Sequence, residues 1–209
     1  SKGCAELVFG AYLKSFFSPK ALKGRSIGAA SVRAGNVIGG GDWGKDRLVP
    51  DCIRALSEGR AIEIRNPRAV RPWQHVLEPL GGYLALGAAL LRDPEEYSGA
   101  WNFGPDDASH LTVAEMADRL IKYWGGGSWT DLSDPHALHE AMLLKLNCDK
   151  AHARLHWHGV FSIDECLQMT ASWYKRFYTE GQAKDMYPLC VEQIRNYESR
   201  IKGKEVEER

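Results

Sequence analysis

The chain has 209 residues, 44% of them apolar and 26% charged, a balance that excludes disordered and fibrous classes and implies a buried core. Its length suits one domain or parts of two smaller units. Twenty-seven Lys plus Arg offset 27 Asp plus Glu, so no global field draws the chain to nucleic acid or an anionic membrane, and any anion site must be local.

The predicted elements begin at once. Ser1 to Phe17 reads as the middle of a helix, with Leu7, Val8, Ala11 and Phe16 at helical spacing and no capping residue before them. After the breaker Ser18-Pro19, the small apolar stretch Ser26 to Ala34 suits a strand buried on both faces of a parallel sheet. Gly35 to Asp46, rich in glycine, reads as a loop, and Arg47 to Leu56 returns to helical spacing. Ala61 to Arg65 is a short strand ended by Asn66-Pro67, Trp73 to Val76 is extended, and Leu77 to Leu91 is an apolar helix. Ala100 to Phe103 is a further short strand.

Thr112-x-x-Glu115 and Ser162-x-x-Glu165 each match a reciprocal capping box, which starts helices over Val113 to Trp124 and Ile163 to Tyr178. Gly125 to Gly127 ends the first of these. Met142 to Leu146 reads as a strand, Asp149 to Leu155 as a short helix and Cys190 to Ile201 as a final helix, with the charged tail Lys202 to Arg209 fraying. The alternation of helices and short strands makes the fold class α/β, with too few strands for a complete doubly wound sheet.

The apolar run Gly81 to Leu91 is too short to span a bilayer and no cleavable signal pattern opens the chain, which reads as cytoplasmic. Cys4, Cys52, Cys148, Cys166 and Cys190 are scattered without a Cys-x-x-Cys pair and read as reduced packing residues. His152, His156 and His158 have no carboxylate or thiolate placed to complete a metal site, so no metal is expected. Trp173, Tyr174, Phe177 and Tyr178 fall at helical spacing and read as packing, and Asp106-Asp107 as a solvated turn.

Two stretches can carry chemistry. Val32 to Trp43 is a strand running into a Gly-rich loop with Asn36 at its mouth, the end of a parallel strand at which ligands sit. By pattern it reads either as a ligand mouth or as a plain turn, and it holds no Gly-x-Gly-x-x-Gly. Ile64 to His75 carries Arg65, Arg68 and Arg71 among prolines, and guanidinium forks match phosphate oxygens. Solvated surface arginines are the other reading of that stretch.

Taken in order, Val32 to Trp43, Asp46 to Pro50, Ile64 to Pro67 with Arg71 to Val76, and Ala100 to Asp106 resemble the CDP-glucose 4,6-dehydratases, which are extended short-chain dehydrogenase/reductases. The likeness continues through His139 and Leu144 to Leu146 into Trp173 to Lys175. The resemblance implies a partial Rossmann-type NAD-binding sheet, with its front half missing, beside a small α/β substrate lobe. Residues 1–36 and 73–91 would belong to the sheet, residues 37–72 and 92–201 to the lobe and 202–209 to a charged tail. Lys2 would be the lysine of the family's Tyr-x-x-x-Lys, catalytic and cofactor-binding, with the tyrosine and phosphate loop upstream of Ser1, so that this chain alone would not turn over. Its ammonium would hold the nicotinamide ribose of NAD, with Arg33, Ala34 and Gly35 beside the carboxamide.

For substrate, the resemblance implies that Asn36 and Arg71 face the diphosphate and that Arg47, Val49, Ile64, Arg65 and Asn66 frame the nucleotide. Gln74, His75, Asn102 and His139 would stand around the pocket. The expected substrate is CDP-glucose, and the expected state of the whole enzyme is a homodimer with the helix of Lys2 in its interface. Another nucleotide-sugar dehydratase or epimerase, or a non-catalytic nucleotide-sugar binding module, are the alternatives. Exposed strand edges and an uncovered first helix predict poor solubility.

Overall fold

The computed structural model describes residues 2–17, 27–106, 110–134, 144–179 and 185–207. Ser18-Pro19, His139 and the start of the strand expected from Met142 lie outside them. The chain divides into two compact units. The first comprises Ser1–Ala34, Pro79–Gly104 and Leu146–His158, and the second Gly35–Glu78, Pro105–Lys145 and Gly159–Arg209. These limits differ from the sequence-based ones: 35–36 and 73–78 fall in the second unit, and 92–104 and 146–158 in the first.

In the first unit, β1 (Ala30–Ala34) pairs in parallel with β5 (Gly99–Phe103), in register from Ala30 with Gly99 to Ala34 with Phe103. Helices α1 (Lys2–Phe16), most of α3 (Leu77–Arg92), α4 (Pro94–Tyr97) and α6 (Asp149–Leu155) belong with this pair. Leu86, Trp101, Phe103, Ala151 and Trp157 form its core. Gly82 is needed there because a Cβ at that position would fall 2.3 Å from the Phe103 ring.

The expectation of a strand buried on both faces fails for β1. Among the described residues it has one strand partner, and Val32 and Arg33 are exposed. Helix α1 buries none of its described side chains and leaves Leu7 77% and Phe16 57% exposed, which agrees with the expected uncovered first helix.

In the second unit, β4 (Val70–His75) stands between β2 (Asn36–Ile38), which is parallel to it, and β6 (His110–Thr112), which is antiparallel. A separate parallel pair joins β3 (Ile62–Ile64) to β7 (Trp129–Asp131). Helices α2 (Leu48–Ser57), α5 (Val113–Trp124), α7 (Ile163–Thr179) and α8 (Tyr187–Glu207) complete the unit. Apolar positions at helical spacing send Val49, Cys52, Ile53 and Leu56 of α2, Met116, Ala117 and Leu120 of α5, and Cys166, Leu167 and Ala171 of α7 into one core.

Both capping boxes form. Thr112 Oγ1 accepts the Glu115 N–H at 3.2 Å while Glu115 returns to the Thr112 N–H at 2.8 Å, and Ser162 with Glu165 repeats the pattern at 3.3 and 2.8 Å. Gly125, with φ of 103°, ends α5 in the left-handed region that glycine tolerates.

Three corrections concern local structure. The loop expected over Gly35 to Asp46 contains β2, because Asn36, Val37 and Ile38 find a ladder on Trp73, Gln74 and His75. No strand forms over 144–146, where Leu144 donates a single backbone bond to Val70 at 3.4 Å. Helix α8 starts before Cys190 and runs into the charged tail as far as Glu207. Among the described residues no helix is long and apolar enough to cross a membrane, and no three His, Cys, Asp or Glu side chains gather as metal ligands.

Candidate functional site

Most of the sequence-predicted ligand residues lie in the second unit, at the ends of β2 and β3, along β4 and at the entry to α2. Gly35 lets the chain enter the unit tightly, since a Cβ there would meet the Pro72 carbonyl oxygen at 2.6 Å. Asn36 follows at the start of β2, half-buried and in register with Trp73. The loop after β2 then turns through Gly41, whose φ is +81°, and reaches Arg47 at the threshold of α2.

That loop gathers two of the predicted arginines. Asp42 receives Arg47 Nη1 at 2.9 Å and the Gly44 N–H at 2.9 Å. Asp46 receives Arg65 Nη2 at 3.3 Å, which brings the end of β3 to the loop. Partial desolvation works to raise the Asp42 pKa, but the Gly44 N–H and the Arg47 guanidinium outweigh it and hold the carboxyl below its ordinary value. The Arg47 and Arg65 side chains are 67% and 82% exposed, and each pair leaves guanidinium donors open to an anionic ligand.

Farther along, Arg71 donates to the Val70 carbonyl at 3.0 Å, and Asn66 closes a turn by accepting the Ala69 N–H at 3.3 Å. Val49 and Ile64 point into the core, 3% and 2% exposed, so any contact they make with a ligand comes from their backbone. Gln74 and His75 are also buried, 2% and 1% exposed. His75 Nδ1 accepts the Leu77 N–H at 3.4 Å, and Nε2 meets no partner among the described residues. Burial pushes the His75 imidazole down to about 4, so it is neutral at pH 7.

The remaining predicted residues that are described lie in the first unit. Lys2 stands exposed on the first turn of α1. Glu6, four residues on, binds Arg33 Nε at 3.2 Å and accepts a hydrogen bond from Ser31 Oγ at 2.8 Å, which joins α1 to β1. Ala34 ends β1, half-buried. Asn102 donates to the Asn147 carbonyl at 2.8 Å, an internal tie.

Sequence reasoning missed Asp42, Asp46 and Glu6 as partners of the arginines, although acidic residues near clustered arginines were a visible signal. It also missed Glu78, a buried carboxylate on α3 that accepts the N–H groups of Val160 and Phe161 at 2.9 and 2.7 Å. A small cavity of about 30 Å³ adjoins Gln74, Glu78, Phe161 and Cys166. A larger open one of about 440 Å³ lies at Trp124 to Ser128 and Leu56 to Ala61 and includes none of the predicted residues.

No protein-family model matches the chain. Over 200 residues, 95% of its length, it is 44% identical to the CDP-glucose 4,6-dehydratase of Salmonella typhimurium, and it spans 55% of that protein. The resemblance read from the motifs is to this same enzyme. Among solved structures, the dTDP-glucose 4,6-dehydratase of Streptomyces venezuelae with NAD and TYD bound aligns at a TM-score of 0.67 and 19% identity, over 88% of this chain and 51% of that one. The dTDP-glucose 4,6-dehydratase of Bacillus anthracis in complex with NAD aligns at 0.65 and 18%, over 88% and 52%. The UDP-glucuronic acid 4-epimerase of Bacillus cereus with UDP-glucuronic acid and NAD aligns at 0.66 and 18%, over 83% and 50%. These likenesses show the fold, the Rossmann-type α/β architecture of nucleotide-sugar dehydratases and epimerases.

Proposed function

We propose that this chain is part of an NAD-dependent CDP-glucose 4,6-dehydratase, a lyase that converts CDP-D-glucose to CDP-4-keto-6-deoxy-D-glucose and water. The observation that carries the reading is the 44% identity along 95% of the chain. The fold likeness at 15–19% identity extends to epimerases as well and does not choose between the two chemistries.

The residues present fit one edge of the cofactor. Lys2 offers an exposed ammonium with three donors from the first turn of α1, and Glu6 on the next turn fixes Arg33 on β1. NAD, when bound, supplies the hydride acceptor that takes hydrogen from C4 of the glucosyl group and returns it at C6. In this reading Lys2 holds the ribose and lowers the pKa of a tyrosine that removes the C4 hydroxyl proton. Ala34 and Gly35 border the carboxamide through their backbone, with Arg33 beside them.

In the second unit, Asn36 and Arg71 hold the substrate diphosphate, and Arg47, Arg65 and Asn66 frame the nucleotide with the backbone of Val49 and Ile64. Gln74 and His75, buried at the end of β4, are assigned to the surround of the pocket together with His139. The whole enzyme would act in the cytoplasm as a homodimer, with Leu7, Val8, Tyr12 and Phe16, all more than half exposed, on the helix assigned to the interface.

The test is titration calorimetry of the chain with CDP-glucose, UDP-glucose and dTDP-glucose. Tightest binding of CDP-glucose supports the reading. Equal affinities would overturn the cytidine assignment, and no heat from any of the three would overturn the nucleotide-sugar site.

A further inference from the structure

The loop that carries Arg47 is fastened from one side by α7, and the fastening converges on a single phenol. The Tyr174 hydroxyl donates to the Asp42 carbonyl at 2.6 Å and accepts the Asp42 N–H at 3.0 Å, so it grips one residue at both of its backbone polar groups. Tyr174 is fully buried, and burial pushes its hydroxyl up to about 12, which keeps it protonated and able to donate. The neighbouring Trp43 packs edge-on against Tyr174 at 5.3 Å and on Phe177 at 4.9 Å between ring centroids. Gly40 lies so close to Trp173 that a Cβ would fall 2.1 Å from the indole.

Asp42 then passes this order on. One carboxylate oxygen is fixed by the Gly44 N–H, and the other receives Arg47 Nη1. An exposed ion pair holds a long arginine side chain only weakly when both partners are mobile. Here one partner is immobile, because its backbone is clamped and its carboxylate is tied. Asp42 engages one N–H of the guanidinium and leaves the other donors of the fork for further oxygens.

We propose that Tyr174 is a positioning residue for the nucleotide sugar: by fixing Asp42 it sets the direction in which Arg47 presents its guanidinium to the ligand. The proposal rests on the assignment of Arg47 to the nucleotide site. It adds a residue 127 positions away in sequence whose hydroxyl is engaged by the Asp42 backbone.

The test is a double-mutant cycle read by titration calorimetry with CDP-glucose, using the 209-residue chain, Tyr174→Phe, Arg47→Ala and the double variant. Arg47→Ala is expected to weaken binding about tenfold and Tyr174→Phe about fivefold, the losses of a charge-assisted hydrogen bond and of its orientation. The double variant is expected to bind no more weakly than Arg47→Ala alone, because Tyr174 has nothing left to aim. A merely structural role for Tyr174 would instead multiply the two losses to about fiftyfold. Multiplied losses, or wild-type affinity in Tyr174→Phe, would overturn the proposal.

Should Tyr174→Phe fail to fold, Trp43→Ala removes the half-exposed ring that seats the same loop and enters the same cycle with the same expected non-additivity. Absence of binding by the unmodified chain overturns the nucleotide-sugar site and this proposal with it. Binding by the unmodified chain with an ineffective Tyr174→Phe overturns the proposal alone.

Discussion

Replacing Glu78 by alanine should be among the most damaging single changes in the second unit. Its side chain is buried in the first turn of α3, where Oε1 accepts the N–H of Val160 at 2.9 Å and of Phe161 at 2.7 Å. These bonds tie residues 160 and 161 to α3, and the capping box of α7 begins directly afterwards at Ser162. Alanine removes the acceptor from both donors, and each orphaned donor costs about 1–3 kcal/mol. Val160 is only half-buried and can recruit water, so the total should come to about 3–4 kcal/mol.

Glu78→Gln keeps an acceptor oxygen in the same place and loses only the charge assistance, while sparing the cost of burying a carboxylate, so it should cost about 1 kcal/mol. Urea unfolding of the three proteins followed by circular dichroism measures the difference, and amide exchange at Val160 and Phe161 locates it. A loss below about 1 kcal/mol for alanine, or equal losses for alanine and glutamine, would refute the account of a carboxylate clamp.

Burial holds the His75 pKa near 4, below the 6.5 of an open imidazole, so between those values the unfolded chain binds the extra proton. Its contribution is complete above pH 6.5 and is lost as pH falls toward 4, by roughly 3 kcal/mol, and His75→Gln should flatten the urea-midpoint profile in that window; parallel profiles would contradict this. Gly40→Ala should destabilise by at least about 2 kcal/mol because the buried Trp173 indole cannot yield, and a melting temperature unchanged from wild type would show that it can. Burial pushes the Cys52 and Cys166 thiols up to about 12, so a thiol-specific reagent should label exposed Cys4 at once and those two only on unfolding; their rapid labelling in the native chain would overturn the core assignment.

The parts of this fold that were legible in the sequence obey rules that act within a few residues. Thr112 and Ser162 announced α5 and α7 because a capping box closes over four residues, whatever the rest of the chain does. The apolar spacing of Val49, Cys52, Ile53 and Leu56 announced α2 for the same reason. The three residues of β3 were readable because Asn66-Pro67 marks their end, whereas β2, β6 and β7 escaped notice because no such breaker frames them and what makes them strands is a partner far along the chain. Trp129 to Asp131 becomes β7 only because Ile62 to Ile64 is there to pair with it.

The candidate site divides along the same line. Arginine and glycine are visible by type, and the resemblance proposed Asn36, Arg47, Arg65 and Arg71 for the site without coordinates. How firmly each is held could not, because the holding groups have ordinary identities and distant positions. Asp42 reads as one more loop acid until Tyr174, 132 residues away, is seen to grip its backbone, and Tyr174 reads as helix packing until its hydroxyl is seen to point at the loop. The aromatic run Trp173 to Tyr178 was rightly read as packing, and its further consequence lies in what it packs against. A site made of exposed arginines needs rigid neighbours if those arginines are to meet a ligand in a fixed direction. In this chain the rigidity comes from α7, through bonds that no local pattern in the Gly-rich loop could have disclosed.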